Sequence, residues 1–252
     1  MSADVRDEPH AHDADHLGRA GRPAVAGGAP GAGNAAQAAD PELPGRLLRI
    51  ERDALLPLLR SRAEADLAAR TACPGWTVRD VLAHCGAVLV RVVEGRTGKG
   101  AFSPEANERD VAERADWPLE RVLDELERGM TDAGPAIAEA GGPLDLVALG
   151  EWVHAGDVRD ALGEAGAYAG EGLPCALALL ARYSREREHL PLHADLDDQD
   201  EPLFLGTANG DAPPARYIGD AATLVRLYAG RPVVGARYEL AGAAEKELRL
   251  FG

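Results

Sequence analysis

The sequence predicts an α+β protein of two domains, an N-terminal four-helix bundle followed by a small C-terminal α+β domain. Two observations carry that prediction. Between residues 44 and 170, four stretches place apolar residues every three to four positions, the period of a helix with one buried face. From residue 171 onward the texture changes to short apolar or alternating runs between turn residues, the pattern of strands. The expected organisation is a disordered tail over 1–43, the bundle over 44–170 and the α+β domain over 171–252.

The tail follows from composition. Residues 1–43 hold no aromatic residue and are crowded with Gly, Ala, Pro, Asp and His, too little apolar surface to offset the entropy of ordering. Its histidines His10, His12 and His16 read as part of a solvated segment rather than as a metal site. The first helix is RLLRIERDALLPLLRSRAEADL, with Leu47, Leu48, Ile50, Leu55, Leu56, Leu58 and Leu59 on its apolar side and Pro57 as a point of bending. TACPGW makes a turn, and Thr77 with Asp80 forms a capping-box pattern that opens the second helix. Val78, Val81, Leu82, Cys85, Val88, Leu89 and Val92 give that helix its stripe, and Gly95 and Gly98 end it. A polar loop is expected over 97–117. Trp117-Pro118 opens the third helix, Gly141-Gly142-Pro143 breaks it, and LDLVALGEWVHAGDVRDALG is the fourth. Short connections between such helices point to a bundle. Beyond it, a helix near 173–189 leads to four strands, in LPLHADLD, EPLFLGT, ARYIGD and ARYELAG, with the helix AATLVRLYAG among them.

The formal charge of −15 over 252 residues repels phosphate backbones and anionic lipid, so neither nucleic acid nor a membrane surface is an expected partner. The only lysines are Lys99 and Lys246. Three cysteines, Cys73, Cys85 and Cys175, form no CxxC pair and no even framework, so a disulfide scaffold is not expected. No apolar run reaches the roughly 18 residues of a membrane span, and the N-terminus lacks the pattern of a signal peptide. A cytoplasmic protein, monomeric or homodimeric, is the expectation.

The chemistry is expected on two helices. Val147, Glu151, His154 and Val158 follow one another at intervals of four, three and four, so they share one stripe of the fourth helix. His84 flanks the apolar stripe of the second helix, three after Val81 and four before Val88. Stripes meet in a bundle, and two imidazoles with one carboxylate make a three-ligand site whose open position suits catalytic zinc. The same spacing also admits a hydrogen-bonded core histidine, or a buried pair between Glu151 and His154. Cys73, Cys85, Cys175, Trp76 and Trp152 read as packing residues. Arg79 and Arg91 read as solvated or paired, with a grip on a substrate carboxylate the rarer role. No GxSxG, P-loop or dinucleotide signature is present.

CPGWTVRDVLAH, followed much later by EWVHAGDVRDALG, resembles the mycothiol-dependent maleylpyruvate isomerase family of actinobacteria, which belongs to the DinB-like metal-binding bundles. The resemblance runs from Pro44 to the C-terminus, where TLVRLYAGRP is similar to the family's C-terminal domain, itself sterol-carrier-like. It implies a divalent metal, usually zinc, on His84 and His154, with an acidic third ligand. The family places that ligand four residues before the last histidine, where this chain has Gly150. Glu151 shares the face and is the expected substitute; Asp157 in the HxxDxR pattern, or no third ligand, are the alternatives. The favoured role for Asp157 is to orient a ligand or to hold Arg159. The resemblance also implies a substrate-binding arginine from the C-terminal domain, Arg226 or Arg231.

The implied activity is that of a zinc-dependent enzyme activating a small thiol, mycothiol, for isomerisation of a small electrophile or for transfer of its sulfur to one. A non-catalytic metal- or ligand-binding protein with a degenerate site and a metal-dependent hydrolase are the rival readings. The departure at Gly150 is what sustains the first of these rivals.

Overall fold

The computed structural model describes residues 40–142, 144–208 and 213–251; the expected tail up to residue 39, with its three histidines, lies outside the described residues. Among the described residues are seven α-helices and one four-stranded sheet. The helices are α1 (Leu43–Ser61), α2 (Val78–Val93), α3 (Pro104–Arg114), α4 (Leu119–Ala140), α5 (Asp145–Ala161), α6 (Leu173–Glu186) and α7 (Ala221–Tyr228). The strands are β1 (Leu192–Leu196), β2 (Leu203–Leu205), β3 (Ala215–Gly219) and β4 (Tyr238–Ala241). A helical N-terminal part and a small α+β C-terminal part are therefore as expected. No helix among the described residues is long and apolar enough to cross a membrane.

Helix α2 begins where its capping box dictates. Thr77 Oγ1 accepts from the Asp80 amide at 3.2 Å and Asp80 Oδ2 accepts from the Thr77 amide at 2.8 Å. Its apolar stripe packs on α4, while α1 packs on α4 and α5. The helices approach closely because glycines stand at their crossings. A Cβ on Gly129 of α4 would lie 2.6 Å from Leu89 Cβ of α2, and one on Gly134 would lie 2.8 Å from the Cα of Gly45 in α1. Helix α4 ends at Gly141, whose φ of 70° supplies the left-handed cap.

The polar loop expected over 97–117 is in part a helix, and this is a correction. Helix α3 starts at Ser103, whose side chain caps Ala106, with Pro104 in the first turn. Few of its residues are apolar, so no hydrophobic period announces it. Ion pairs hold it instead: Asp110 pairs with Arg91 of α2, and Arg114 grips Glu125 of α4 through two bonds of 2.5 and 3.0 Å.

The sheet has the order β2-β1-β3-β4, with β1 antiparallel to β2, parallel to β3, and β3 antiparallel to β4. Alternate residues of β1 and β3 are buried, and α6 and α7 contact the sheet at β2 and β3. Helix α7 matters most for the site. It stops at Gly230, whose φ of 66° turns the chain so that Arg231 leaves toward the helical part.

The Gly129 contact gives a test of this packing. Gly129→Ala gains helix propensity but forces α2 and α4 apart, and is expected to lower stability by about 1–3 kcal/mol, measured as the urea midpoint at constant slope.

Candidate functional site

The TACPGW turn is closed by a bridge between Arg70 and Thr77, with Gly75 at φ 84°. It delivers Cys73 and Trp76 to the start of α2. Trp76 lies against His84 with ring centroids 4.9 Å apart and donates from Nε1 to Glu108 of α3 at 3.0 Å. His84 in turn meets His154 of α5 edge to face, with ring centroids 5.4 Å apart. Two imidazoles on one tetrahedral cation keep their rings about 5 Å apart, given nitrogen–metal bonds of about 2 Å. The two histidines expected to share a site are thus neighbours.

A cavity of about 610 Å³ opens beside them, lined by His84, Glu151, His154 and Arg231 among others. Gly150 lines it too, and the nearest atom to a Cβ there would be in the ring of Phe251, 3.8 Å away. Glu151 is buried and hydrogen-bonded with the Cys85 thiol, while its Oε2 has no partner. Burial pushes its carboxyl up to about 8, so the metal-free protein keeps it protonated at neutral pH. Burial, followed by the nearby His154 and Arg91, pushes His84 down to about 3, so this imidazole is neutral. Neutral imidazole is the form that binds a cation.

Among the described residues, Asp157 gathers partners from four side chains. Its Oδ1 accepts from Tyr168 Oη at 2.6 Å and from Arg231 Nε at 2.8 Å. Its Oδ2 accepts from Arg231 Nη2 at 2.7 Å and from Cys73 Sγ at 3.3 Å, and lies 3.2 Å from His154 Nδ1. Burial alone would raise this carboxyl, but the bonds from His154 and Arg231 outweigh it and hold it well below the usual carboxylate range. Tyr168 reaches Asp157 because residue 156 is glycine: a Cβ there would stand 2.3 Å from the tyrosine ring.

Among the described residues, Cys73, His154 and Asp157 form a set whose ligand atoms all lie within 4.8 Å of one another, and such a set can hold a metal. His84, Glu151 and His154 share the cavity, but their ligand atoms are not gathered that tightly. The two sets differ in available lone pairs. Both oxygens of Asp157 are occupied, Arg231 puts a positive charge 3.4 Å from Cys73 Sγ, and burial pushes the Cys73 thiol up to about 12. Glu151 Oε2 is open.

The remaining candidates separate cleanly. Arg231 reaches the site, whereas Arg226 donates to the Pro232 carbonyl and sits 5.3 Å over the Tyr168 ring. Arg159 pairs with Glu51, so Asp157 does not hold it as expected from the HxxDxR pattern. Arg79 donates to the Trp117 carbonyl, and Arg91 binds Asp110 and the Ala101 carbonyl. Trp152 is fully buried packing, as expected, whereas Cys73, read as packing, belongs to the Asp157 cluster. Tyr168 and Cys73 carried no periodic signal, because loops bring them in.

The Glu151 shift has a consequence for pH. The folded chain keeps a proton that the unfolded chain releases near its ordinary value of 4.5, so stability falls as pH rises until Glu151 ionises near 8. His84 acts in the opposite sense only below its ordinary value of 6.5, above which it is neutral in both states. Between pH 6.5 and 8 Glu151 is expected to remove about 1 kcal/mol of stability per pH unit from the metal-free protein. Urea unfolding across that range, compared with Glu151→Gln, measures this as a flatter profile in the variant.

No curated protein matches the chain with significance. The crystal structure of the mycothiol-dependent maleylpyruvate isomerase, and that of a histidine-to-alanine mutant of it, align with it at a TM-score of 0.49 and 16% identity. Each alignment covers 82% of this chain and 95% of the other. Residues 48–165, which span α1 to α5 and carry both histidines, match the family described as mycothiol maleylpyruvate isomerase N-terminal domain. That stretch of the chain thus belongs to the mycothiol maleylpyruvate isomerase N-terminal domain family.

Proposed function

We propose that this protein is a metal-dependent enzyme that activates a low-molecular-weight thiol, mycothiol in the family's own naming, toward a small electrophile. The reaction is isomerisation in the manner of maleylpyruvate isomerase, or transfer of the sulfur. We place the working unit for the metal in residues 44–170, with residues 171–252 closing the cavity from the other side.

One observation carries this reading: His84, Glu151 and His154 line one cavity within the family domain, and Glu151 Oε2 is buried there without a hydrogen-bond partner. The donor set fits a divalent cation, zinc by its nitrogen and carboxylate character. When bound, zinc supplies a Lewis acid that lowers the pKa of a thiol into the neutral range. The chain's own residues do the rest. Asp157 accepts from His154 Nδ1, which fixes the ring and leaves Nε2 for the cation. Arg231 neutralises Asp157 and lines the cavity. Val88, Leu250 and Phe251 give the cavity apolar walls that keep water from competing with the sulfur. Addition of the thiol sulfur to one end of a conjugated double bond leaves a single bond free to rotate. Elimination then restores the double bond and returns the thiol unconsumed.

Metal analysis of the purified protein tests the reading. About one zinc per chain is expected, with loss in His84→Ala and in His154→Ala while the circular dichroism spectrum is retained. Turnover of a conjugated electrophile is expected only with thiol present; turnover without thiol would instead mark a hydrolase. A second ligand set, Cys73, His154 and Asp157, is supported by its tighter grouping. Two further variants separate the sets: Glu151→Gln is expected to weaken zinc binding by a factor of 100 or so, and Cys73→Ser to leave it within a few-fold. The reverse result would assign the metal to the second set.

A further inference from the structure

His154 has an outer carboxylate in Asp157. His84 has one too, on the helix that no hydrophobic pattern announces. Asp110 of α3 is 4% exposed, and its Oδ1 is held by Arg91 of α2. Its Oδ2 is buried without a hydrogen-bond partner, and so is His84 Nδ1. These two unpartnered atoms face each other at 3.9 Å, with both side chains almost wholly buried. An unmatched acceptor beside an unmatched ring nitrogen costs each its desolvation, and a closing movement of about 1 Å makes the bond that satisfies both. Arg91, Trp76 and the α3 backbone leave little freedom for any other partner: Arg91 also binds the Ala101 carbonyl, Trp76 packs on the imidazole, and Arg114 binds the Asp110 carbonyl.

The geometry points to Asp110 as the positioning residue for His84: its Oδ2 accepts a hydrogen bond from Nδ1–H and so fixes the tautomer whose Nε2 lone pair is free for a cation. In its link to a cation the inference rests on the metal reading above; the tautomer itself does not. The arrangement makes the site symmetrical in its supports, since each histidine donates from Nδ1 to a buried carboxylate that an arginine holds, Arg231 for Asp157 and Arg91 for Asp110. The tautomer is set by protein contacts before any ion arrives, which removes an ordering cost from binding.

Asp110→Asn tests this with little change of shape. Arg91 keeps its bond to the remaining carbonyl oxygen, which turns the new amide nitrogen toward His84. That nitrogen donates, so the imidazole must accept at Nδ1 and move its proton to Nε2. Long-range proton–nitrogen spectra of the full-length, metal-free protein at neutral pH read the two forms directly. The expected result is Nδ1–H for His84 in the wild type and Nε2–H in Asp110→Asn, with the His154 signals unchanged. Zinc affinity, measured by competition with a chelator, is expected to fall 10- to 100-fold in the variant. An Nε2–H tautomer in the wild type, or the same tautomer in both proteins, overturns the proposal. The expected tautomers with unchanged zinc affinity support the Asp110 contact and overturn His84 as a ligand, so the two failures are told apart. Asp110→Ala serves as control: its His84 signals are expected to show both tautomers, and a lone Nδ1–H form there would overturn the role of Asp110.

Discussion

The buried carboxylate of Asp157 is the point on which the rest of the site depends. It lies on α5, yet its partners come from the turn before α2, from the loop after α5 and from the end of α7. A fully buried carboxylate is stable only with its lone pairs filled and its charge matched. Tyr168, Cys73, His154 and Arg231 meet that requirement together, and in doing so they tie the C-terminal part to the helical part beside the cavity. The group that orients His154 is thus also the one that fixes where the cavity's far wall stands.

The same logic recurs around the helical part. Glu51 with Arg159, Asp110 with Arg91, Glu125 with Arg114 and Asp145 with Arg182 are all acidic residues with little exposure, paired with arginine. Such pairs add modest net stability, but they are demanding in geometry and specify one arrangement of helices over others of similar apolar burial. Glu151 stands apart from them. It is buried with no arginine partner, and its carboxyl remains protonated as a result. It lines the cavity beside His84 and His154.

The departure at Gly150 has a structural counterpart. The acidic residue that the resemblance implies four positions before His154 is absent, the position opens on the cavity, and Phe251 approaches it. Glu151, one residue further on, faces the same cavity from deeper in the helix packing.

Periodicity and capping were enough to determine the helices α1, α2, α4 and α5, the change to strands after α6, and the stripe carrying Glu151 and His154 with His84 on a second helix. These are local properties: spacing of apolar residues, a Thr–Asp capping box, glycine at a helix end. Helix α3 was not legible because ion pairs to distant residues, not an apolar face, hold it in place. Cys73, Tyr168, Asp110 and the choice of Arg231 over Arg226 were decided only by the tertiary structure. A polar side chain's role depends on which partner reaches it across the fold, and the sequence spacing of residues 73, 157, 168 and 231 holds no trace of that meeting.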